Sequence, residues 1–352
     1  HAIMDIDVTS SLPAVPVTAV ALNVTLVGPR QAGYVQVYPY FRALTGATST
    51  LNVSTAGGVR PNFVIVPVGQ DGKVSIYMPT GGDLIVDIMG YFTTGTATHA
   101  AGRFQPLASP ERWVNQLTMT SQVESVVTPP DTTALSTDLD AGLVDALVVN
   151  FTAEGATRAG DLKAYETGVT PGSHSNVNFG VTAPSTNTAI VPISALQQFT
   201  MKTNNVTGNT VKVSVDVVGY ITSATATDDA EGLFVPIAPT RVYRAYDGTE
   251  ATTRPISITG VTPGDVLALS ANLTVTRLIA TGYLTLYDGL LTRPGTYNVT
   301  YSPGQTVANG AIFGTGFDGG TSANTVTAFM SRGGDVIIDV NGYFLKAAPP
   351  PP

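Results

Sequence analysis

The stretch Asp339-Val-Asn-Gly-Tyr-Phe344 decides the fold, because the chain contains it three times. The other two copies are Asp87-Ile-Met-Gly-Tyr-Phe92 and Asp216-Val-Val-Gly-Tyr-Ile221. About 65 residues before each copy stands a second shared motif, which in the first copy reads Leu22-Asn-Val-Thr25. Its asparagines are Asn23, Asn150 and Asn272.

Further landmarks keep the same register in all three copies. Ten residues after each of these asparagines comes a glycine, and five residues later a tyrosine. Two more asparagines follow in every copy. The sets are Gly33, Gly160 and Gly282; Tyr38, Tyr165 and Tyr287; Asn52, Asn178 and Asn298; and Asn62, Asn187 and Asn309. Self-similarity at this period indicates three homologous units.

Within each unit the pattern is typical of strands and turns. Gly33-Tyr-Val-Gln-Val-Tyr38 has strand length, and turn signals recur every 8–12 residues, as in β-sandwiches. Gly69-Gln-Asp-Gly72 predicts a hairpin between the apolar runs 63–67 and 73–77. We therefore expect an all-β protein with almost no helix: three tandem β-sandwich domains of immunoglobulin-like or jelly-roll type.

The predicted domains span residues 1–95, 103–222 and 233–346, followed by a proline-rich tail at 347–352. The small, polar segments 93–99 and 225–231 are interpreted as linkers. Domains 2 and 3 open with a Phe-x-Pro motif and an arginine, at Phe104 to Arg112 and Phe234 to Arg241. Domain 1 has no counterpart of this segment, so we expect it to lack its N-terminal strand and to expose a sheet edge. Either a neighbour donates this strand, or it is absent through truncation.

Composition excludes several classes of protein. Of 352 residues, 43% are apolar, 12% are charged and none is cysteine. A disordered chain or a coiled coil is excluded by these values, and disulfides and thiolate metal sites by the missing cysteine. The net charge of −8 argues against nucleic acid as a partner, and no apolar run is long enough for a membrane span. Because His1 is not a natural start, we expect a processed or truncated chain from which any export signal has been removed.

The motif set resembles tandem β-sandwich repeat domains of exported, actinobacterial-type cell-surface proteins. The resemblance rests on Leu22-Asn-Val-Thr25, Gly304-Gln-Thr-Val-Ala-Asn309, the Asp-x-x-Gly-Tyr-Phe stretch and the opening of domain 3. It covers nearly the whole chain. The Asp-Thr-Arg that usually follows that opening is replaced here by Tyr243-Arg244-Ala245. The resemblance implies an extracellular β-sandwich module without a catalytic role.

Eight residues are candidate structural determinants. Asn23, Asn150 and Asn272 lie in Asn-x-Ser/Thr sequons, but their fixed strand position favours a buried amide that satisfies a neighbouring loop over N-glycosylation. Asn205 is the better glycan candidate. Asp87, Asp216 and Asp339 alternate with apolar residues, so a buried carboxylate needs a partner. We predict the pairs Arg112–Asp216 and Arg241–Asp339; the alternative is a half-exposed aspartate capping the Gly-Tyr turn.

No catalytic, cofactor-binding or metal-binding residue is predicted. The three histidines do not repeat, and no Gly-x-Ser-x-Gly motif accompanies His174. The acids in 136–142 are a weaker candidate for a calcium site.

We therefore predict a non-catalytic extracellular structural or adhesive surface protein. It would self-assemble into a filament or layer through end-to-end or donor-strand contacts. The alternatives are an array that binds glycan or cell wall, and a virion or appendage decoration protein.

Overall fold

The computed structural model describes residues 2–42, 48–93, 98–204, 207–247 and 251–347, and this part of the chain is almost entirely β. Its helical segments are one short helix at Ser136–Asp140 and one turn of 3-10 helix at Gln70–Gly72, and no helix here is long and apolar enough to cross a membrane. The elements are β1 (Ala2–Asp7), β2 (Val17–Val27), β3 (Gly33–Pro39), β4 (Leu51–Val53), β5 (Val59–Pro67), β6 (Lys73–Met78), β7 (Asp83–Thr93), β8 (Phe104–Thr120), β9 (Glu124–Val127), α1 (Ser136–Asp140), β10 (Val144–Glu154), β11 (Gly160–Glu166), β12 (Val177–Phe179), β13 (Ser185–Pro192), β14 (Phe199–Asn204), β15 (Thr210–Thr222), β16 (Phe234–Asp247), β17 (Thr252–Ile258), β18 (Val266–Thr276), β19 (Gly282–Asp288), β20 (Val299–Tyr301), β21 (Val307–Gly314), β22 (Gly316–Asp318), β23 (Ala323–Met330) and β24 (Gly334–Leu345).

The strands form six small antiparallel sheets, two from each repeat. Repeat 1 contains β1–β7, repeat 2 contains β8–β15 and repeat 3 contains β16–β24. The three sheets that we call inner have the orders β5-β2-β7, β13-β10-β15-β8 and β21-β18-β24-β16. The outer sheets have the orders β1-β6-β3-β4, β9-β14-β11-β12 and β17-β23-β19-β20, with β22 beside β23.

Each repeat buries an apolar cluster between its inner and outer sheets. In repeat 2, Phe151 of β10 meets Phe199 of β14 with ring centroids 6.3 Å apart, and both side chains are fully buried. The repeated tyrosines Tyr38, Tyr165 and Tyr287 are also buried. Alternating apolar residues on facing strands explain this packing, since each strand turns every second side chain to the same face.

A fourth apolar cluster joins the three repeats to one another. It contains Phe63 of repeat 1, Phe104 of repeat 2 and Phe344 of repeat 3, all at most 1% exposed. The inner sheets are therefore covered on both faces. The prediction of an all-β chain is confirmed, but the prediction of three sandwiches in a row is wrong: six small sheets form one propeller-like arrangement around a shared interior. Strand periodicity shows which side chains share a face, but not which chain segment covers that face.

The predicted hairpin at Gly69–Gly72 is also wrong. Strand β5 pairs with β2 in the inner sheet, whereas β6 pairs with β1 and β3 in the outer sheet. The turn therefore carries the chain from one sheet to the other. A glycine-rich turn between two apolar runs permits either course, and the choice depends on long-range pairing.

Three buried asparagines close the ring of repeats at its centre. The side-chain oxygen of Asn187 in repeat 2 accepts a hydrogen bond of 2.8 Å from the backbone N–H of Phe63 in repeat 1. In the same way, Asn62 accepts from Gly310 in repeat 3, at 2.7 Å. Asn309 completes the cycle by accepting from Thr188 in repeat 2, at 3.3 Å. We call these three residues the asparagine ring; each is at most 1% exposed.

The amide groups of the asparagine ring tie each repeat to itself and to its neighbour. Asn187 donates to the carbonyl of Asn176 in its own repeat, at 2.6 Å, and to Asn23 Oδ1 in repeat 1, at 2.8 Å. Asn62 likewise donates to Asn272 Oδ1 of repeat 3, at 2.9 Å. Buried polar groups satisfied in this way fix the relative position of the repeats, because any displacement leaves several of them without partners.

The segments predicted as linkers pack against each other where they are described. His99 and Asp229 form a two-residue β-bridge. The guanidinium of Arg103, which is only 5% exposed, donates to the carbonyls of Thr227 and Glu231 at 2.8 and 2.9 Å. Residues 94–97 and the tail from 348 onward lie outside the described residues.

Replacing Asn187 by leucine is expected to destabilise the whole chain in a single transition. The change leaves the buried N–H of Phe63 and the carbonyl of Asn176 without partners, at about 1–3 kcal/mol for each group. Denaturant unfolding followed by tryptophan fluorescence and by hydrogen exchange in repeats 1 and 3 measures the effect. The exposed Asn115→Leu exchange is the control; separate transitions for the three repeats would contradict the shared interior.

Candidate functional site

The inner sheet of repeat 1 has three strands, whereas those of repeats 2 and 3 have four. Strand β15 lies between β10 and β8, and β24 lies between β18 and β16. Their counterpart β7 pairs only with β2 among the described residues. The open edge of β7 is therefore the position at which the sequence lacks a Phe-x-Pro segment.

The covering strands of repeats 2 and 3 bring an arginine onto the repeated aspartate. Arg112 donates to both carboxylate oxygens of Asp216, at 2.7 and 2.9 Å. Arg241 contacts Asp339 in the same two-pronged way, at 2.8 and 3.0 Å. The structure thus brings both predicted pairs together, with carboxylates that are 0% and 2% exposed. Bidentate geometry of this kind is the strongest form of an ion pair between side chains.

The neighbouring repeat supplies a third contact to each carboxylate. The backbone N–H of Tyr297 in repeat 3 donates to Asp216, at 2.9 Å, and that of Ser49 in repeat 1 donates to Asp339. The guanidinium of Arg112 also lies over the Tyr297 ring, 4.3 Å from its centroid. Sequence reasoning missed Tyr297 and Ser49, because their spacing along the chain gives no sign that they meet an aspartate of another repeat.

Burial dominates the electrostatics of these pairs. It raises the pKa of Asp216 and of Asp339 above the ordinary value, and the hydrogen bonds from arginine offset this rise only in part. For Arg112, burial alone would lower the pKa, but the hydrogen bonds and charge of Asp216 raise it above its usual range. Each pair depends on both members, because a buried carboxylate without its cation is strongly unfavourable.

Asp87 occupies the same register position in β7 but has no arginine in its own repeat among the described residues. It lies opposite Asn23, as Asp216 lies opposite Asn150. Partial burial raises the pKa of Asp87, and the charges of His174 and Lys163 in repeat 2 lower it in part. The acidic half of the ion pair is thus present at the open edge.

The repeated sequon asparagines are buried, and Asn23 and Asn272 hold the neighbouring repeat. Asn23 donates to the carbonyl of Ser175 at 2.7 Å, and Asn272 donates to that of Ser49 at 2.6 Å. Asn150 accepts from the hydroxyl of Thr188. These amides face the protein interior, as the fixed strand position suggested. The glycan candidate Asn205 lies outside the described residues.

Residues with catalytic or metal-binding chemistry do not converge in the described part of the chain. It contains no group of three or more histidine, aspartate or glutamate side chains that could hold a metal ion. In the segment considered for calcium, the hydroxyl of Tyr220 donates to Asp138 at 3.1 Å. That aspartate thus has a protein partner.

A polar cavity of about 770 Å³ opens where turns of all three repeats meet. Its lining includes Arg60, Asp161 and Thr306, one from each repeat, together with backbone of the glycine-rich turn 54–58. The only aromatic side chain in that lining is Phe179, which is 4% exposed. The cavity therefore offers hydrogen-bonding groups but no exposed aromatic face on which a sugar ring could stack.

No family model matches the chain, and the search of curated proteins found no similar sequence. Three of the solved structures with partial similarity are viral. A chain of the cowpea mosaic virus top component, naturally occurring empty particles, is 10% identical with a TM-score of 0.23, over 73% of this chain and 95% of that one. The STIV MCP is 8% identical with a TM-score of 0.19, over 68% and 97%.

A chain from the atomic structure of Sulfolobus turreted icosahedral virus is 13% identical, with a TM-score of 0.19 over 96% of this chain and 83% of that one. TM-scores this low do not indicate a common fold.

Removing one arginine is expected to destabilise the protein most at neutral pH. Arg112→Ala leaves Asp216 buried without its cation, a loss of about 3–5 kcal/mol. Because burial holds the pKa of Asp216 above its value in the unfolded chain, the folded variant binds a proton at a higher pH than the unfolded chain does. The variant should therefore regain stability as pH falls through this raised pKa.

Urea unfolding of Arg112→Ala and wild type at neutral and mildly acidic pH measures both effects. The exposed Arg158→Ala exchange is the matched control. An Arg112→Ala variant that loses no more stability than this control, or that loses stability further on acidification relative to wild type, would contradict the role assigned to the ion pair.

Proposed function

We propose that the protein is a non-catalytic structural protein of an extracellular surface. It self-assembles by accepting an extended strand at the open edge of β7. The observation that carries this proposal is the missing fourth strand in the inner sheet of repeat 1. An unpaired edge presents a row of free backbone groups, which a strand of another chain can satisfy.

The sequence of β7 suits an acceptor. Its residues, Asp83–Thr93, contain no proline. The covering strands carry two prolines each: Pro106 and Pro110 in β8, and Pro236 and Pro239 in β16. Prolines protect an edge from further pairing, because they remove donors. The edges of repeats 2 and 3 are thus blunted, whereas β7 keeps the composition of a central strand.

Exposed apolar side chains on β7 support the same function. Ile85 is 50% exposed and Tyr91 is 39% exposed. With only 12% charged residues in the chain, little electrostatic repulsion opposes the approach of a like neighbour. Burial of these side chains by an added strand would contribute hydrophobic stabilisation in addition to the backbone hydrogen bonds.

The alternatives make different demands on the molecule. A protein that binds glycan or cell wall usually presents exposed aromatic side chains, and the lining of the polar cavity offers none. Decoration of a virion or appendage would use the same kind of strand addition with a different neighbour. We propose self-assembly because the open edge of β7 is sufficient to motivate it without a further partner.

Self-association is expected to rise with protein concentration and to depend on β7. Sedimentation velocity over a hundredfold concentration range, with negative-stain imaging of the fastest species, measures it. Ile85→Lys places a charge on the open edge and should reduce association. Leu117→Lys, at a 40% exposed position on β8, is the matched control. A wild-type protein that stays monomeric throughout would overturn the proposed function.

A further inference from the structure

The geometry points to a specific acceptor slot along β7, built to bind an extended strand with the motif Phe-x-Pro followed by arginine. The phenylalanine ring would lie over Gly90, and the arginine, seven or eight residues after the phenylalanine, would reach Asp87. This inference rests on the proposed strand addition and defines what the added strand must carry.

Gly90 keeps space for an aromatic ring. In repeats 2 and 3 the equivalent glycines, Gly219 and Gly342, lie against the rings of Phe104 and Phe234, and a Cβ on either would collide with that ring. Nothing lies within 4 Å of a Cβ built on Gly90. The glycine that two repeats need for ring packing is therefore also present in the third, where the space beside it is open.

Strand register determines where each donor residue would fall. In repeat 3, Phe234 pairs with Phe344, Pro236 with Gly342, and Arg241 with Asp339. Repeat 2 has the same pairing for its own phenylalanine, proline and arginine. Transferred to β7, this register places phenylalanine opposite Phe92, proline opposite Gly90 and arginine opposite Asp87.

The neighbouring repeat contributes the other wall of the slot. Ile65 of β5 and Ile312 of β21 are at most 1% exposed, whereas their counterpart Ile190 of β13 is only partly buried. The covering strands β16 and β8 lie against β5 and β21, respectively, of the next repeat. A strand added to β7 would lie against β13 in the same way and would cover Ile190. The slot is thus open on both of the sides that a donor would contact.

The aromatic cluster at the shared interior already contains a ring from each of the two covering strands. Phe234 lies 4.5 Å from Phe92 and 5.0 Å from Phe344, centroid to centroid, and Phe104 lies 4.8 Å from Phe344. Two covering strands thus contribute one ring each, and the register places a third beside Phe92. Ring contacts of this kind add stabilisation beyond the buried area.

Charge at the slot favours a cationic donor residue but includes a competitor. Asp87 is the acid at the register position of the arginine. His174 and Lys163 of repeat 2 act on it from the facing side. An incoming guanidinium would share the Asp87 carboxylate with the charge of His174. At the equivalent place in repeat 2, the ring of Tyr297 lies over the guanidinium of Arg112 instead. We therefore expect the phenylalanine to contribute more to binding than the arginine.

A peptide that reproduces the donor tests the inference. The probe is residues 232–247 of this chain as a fluorescent synthetic peptide, titrated into the intact protein by anisotropy. Saturable binding with new hydrogen-exchange protection in β7 is expected. Gly90→Val should weaken binding about a hundredfold or more by filling the ring site. Asp87→Asn, or an alanine in place of the peptide's Arg241, should weaken it about tenfold.

Two controls distinguish binding at the slot from non-specific binding of the peptide. Gly295→Val adds the same side chain at another glycine with nothing within 4 Å of its Cβ, and should leave both fold and binding unchanged. A peptide with Phe234 replaced by alanine should bind as poorly as the wild-type peptide binds Gly90→Val. Circular dichroism and unfolding midpoints should show Gly90→Val to be folded as wild type. If it is not, the alanine peptide decides, since it acts on the unaltered protein.

Binding that is equal for Gly90→Val and wild type, or protection confined to strands other than β7, would overturn the inference. Absence of binding at any concentration would do the same. The results also distinguish this inference from the proposed function. If the protein stays monomeric but binds the peptide, the slot is supported and self-assembly is contradicted. If the protein self-associates and saturating peptide does not inhibit the association, self-assembly is supported and the slot is contradicted.

Discussion

The cyclic contact of three buried asparagines is the constraint on which the rest of the structure depends. Each side-chain oxygen accepts from the backbone of another repeat, so none of Asn62, Asn187 and Asn309 can be satisfied within its own repeat alone. Hydrophobic packing tolerates small sliding movements, but directional hydrogen bonds at the centre do not. The ring therefore sets the register between repeats, and this register places each aspartate beside the loop of the next repeat.

Much of the local structure follows from the sequence. The repeated landmarks identify the strands and the buried amides of Asn23, Asn150 and Asn272. They also identify the pairs Arg112–Asp216 and Arg241–Asp339, because a charged residue repeated on an apolar strand needs a partner. The propeller-like arrangement does not follow. Which sheet faces cover one another depends on contacts such as Phe63 with Gly310, which lie far apart in sequence. The course of the chain at Gly69–Gly72 was mispredicted for the same reason.

The three repeats share their sequence landmarks but differ in the strands that cover their inner sheets. The same glycine, aspartate and isoleucine positions recur in all three, so a difference in exposure reports a difference in covering strands rather than in residue type. Gly90, Asp87 and Ile190 all deviate from their counterparts. Gly90 and Asp87 lie on β7, and Ile190 lies on β13, against which an added strand would pack. The fourth strand leaves its imprint on the residues that would contact it, even where that strand is not part of the described chain.

The open edge also breaks the equivalence of the three repeats. A ring of three repeats with identical edges would offer the same contact three times. Among the described strands, β8 and β16 cover two of the three equivalent positions, and none covers β7. A strand added at β7 would therefore join the molecule at one defined place and in one orientation relative to the repeats.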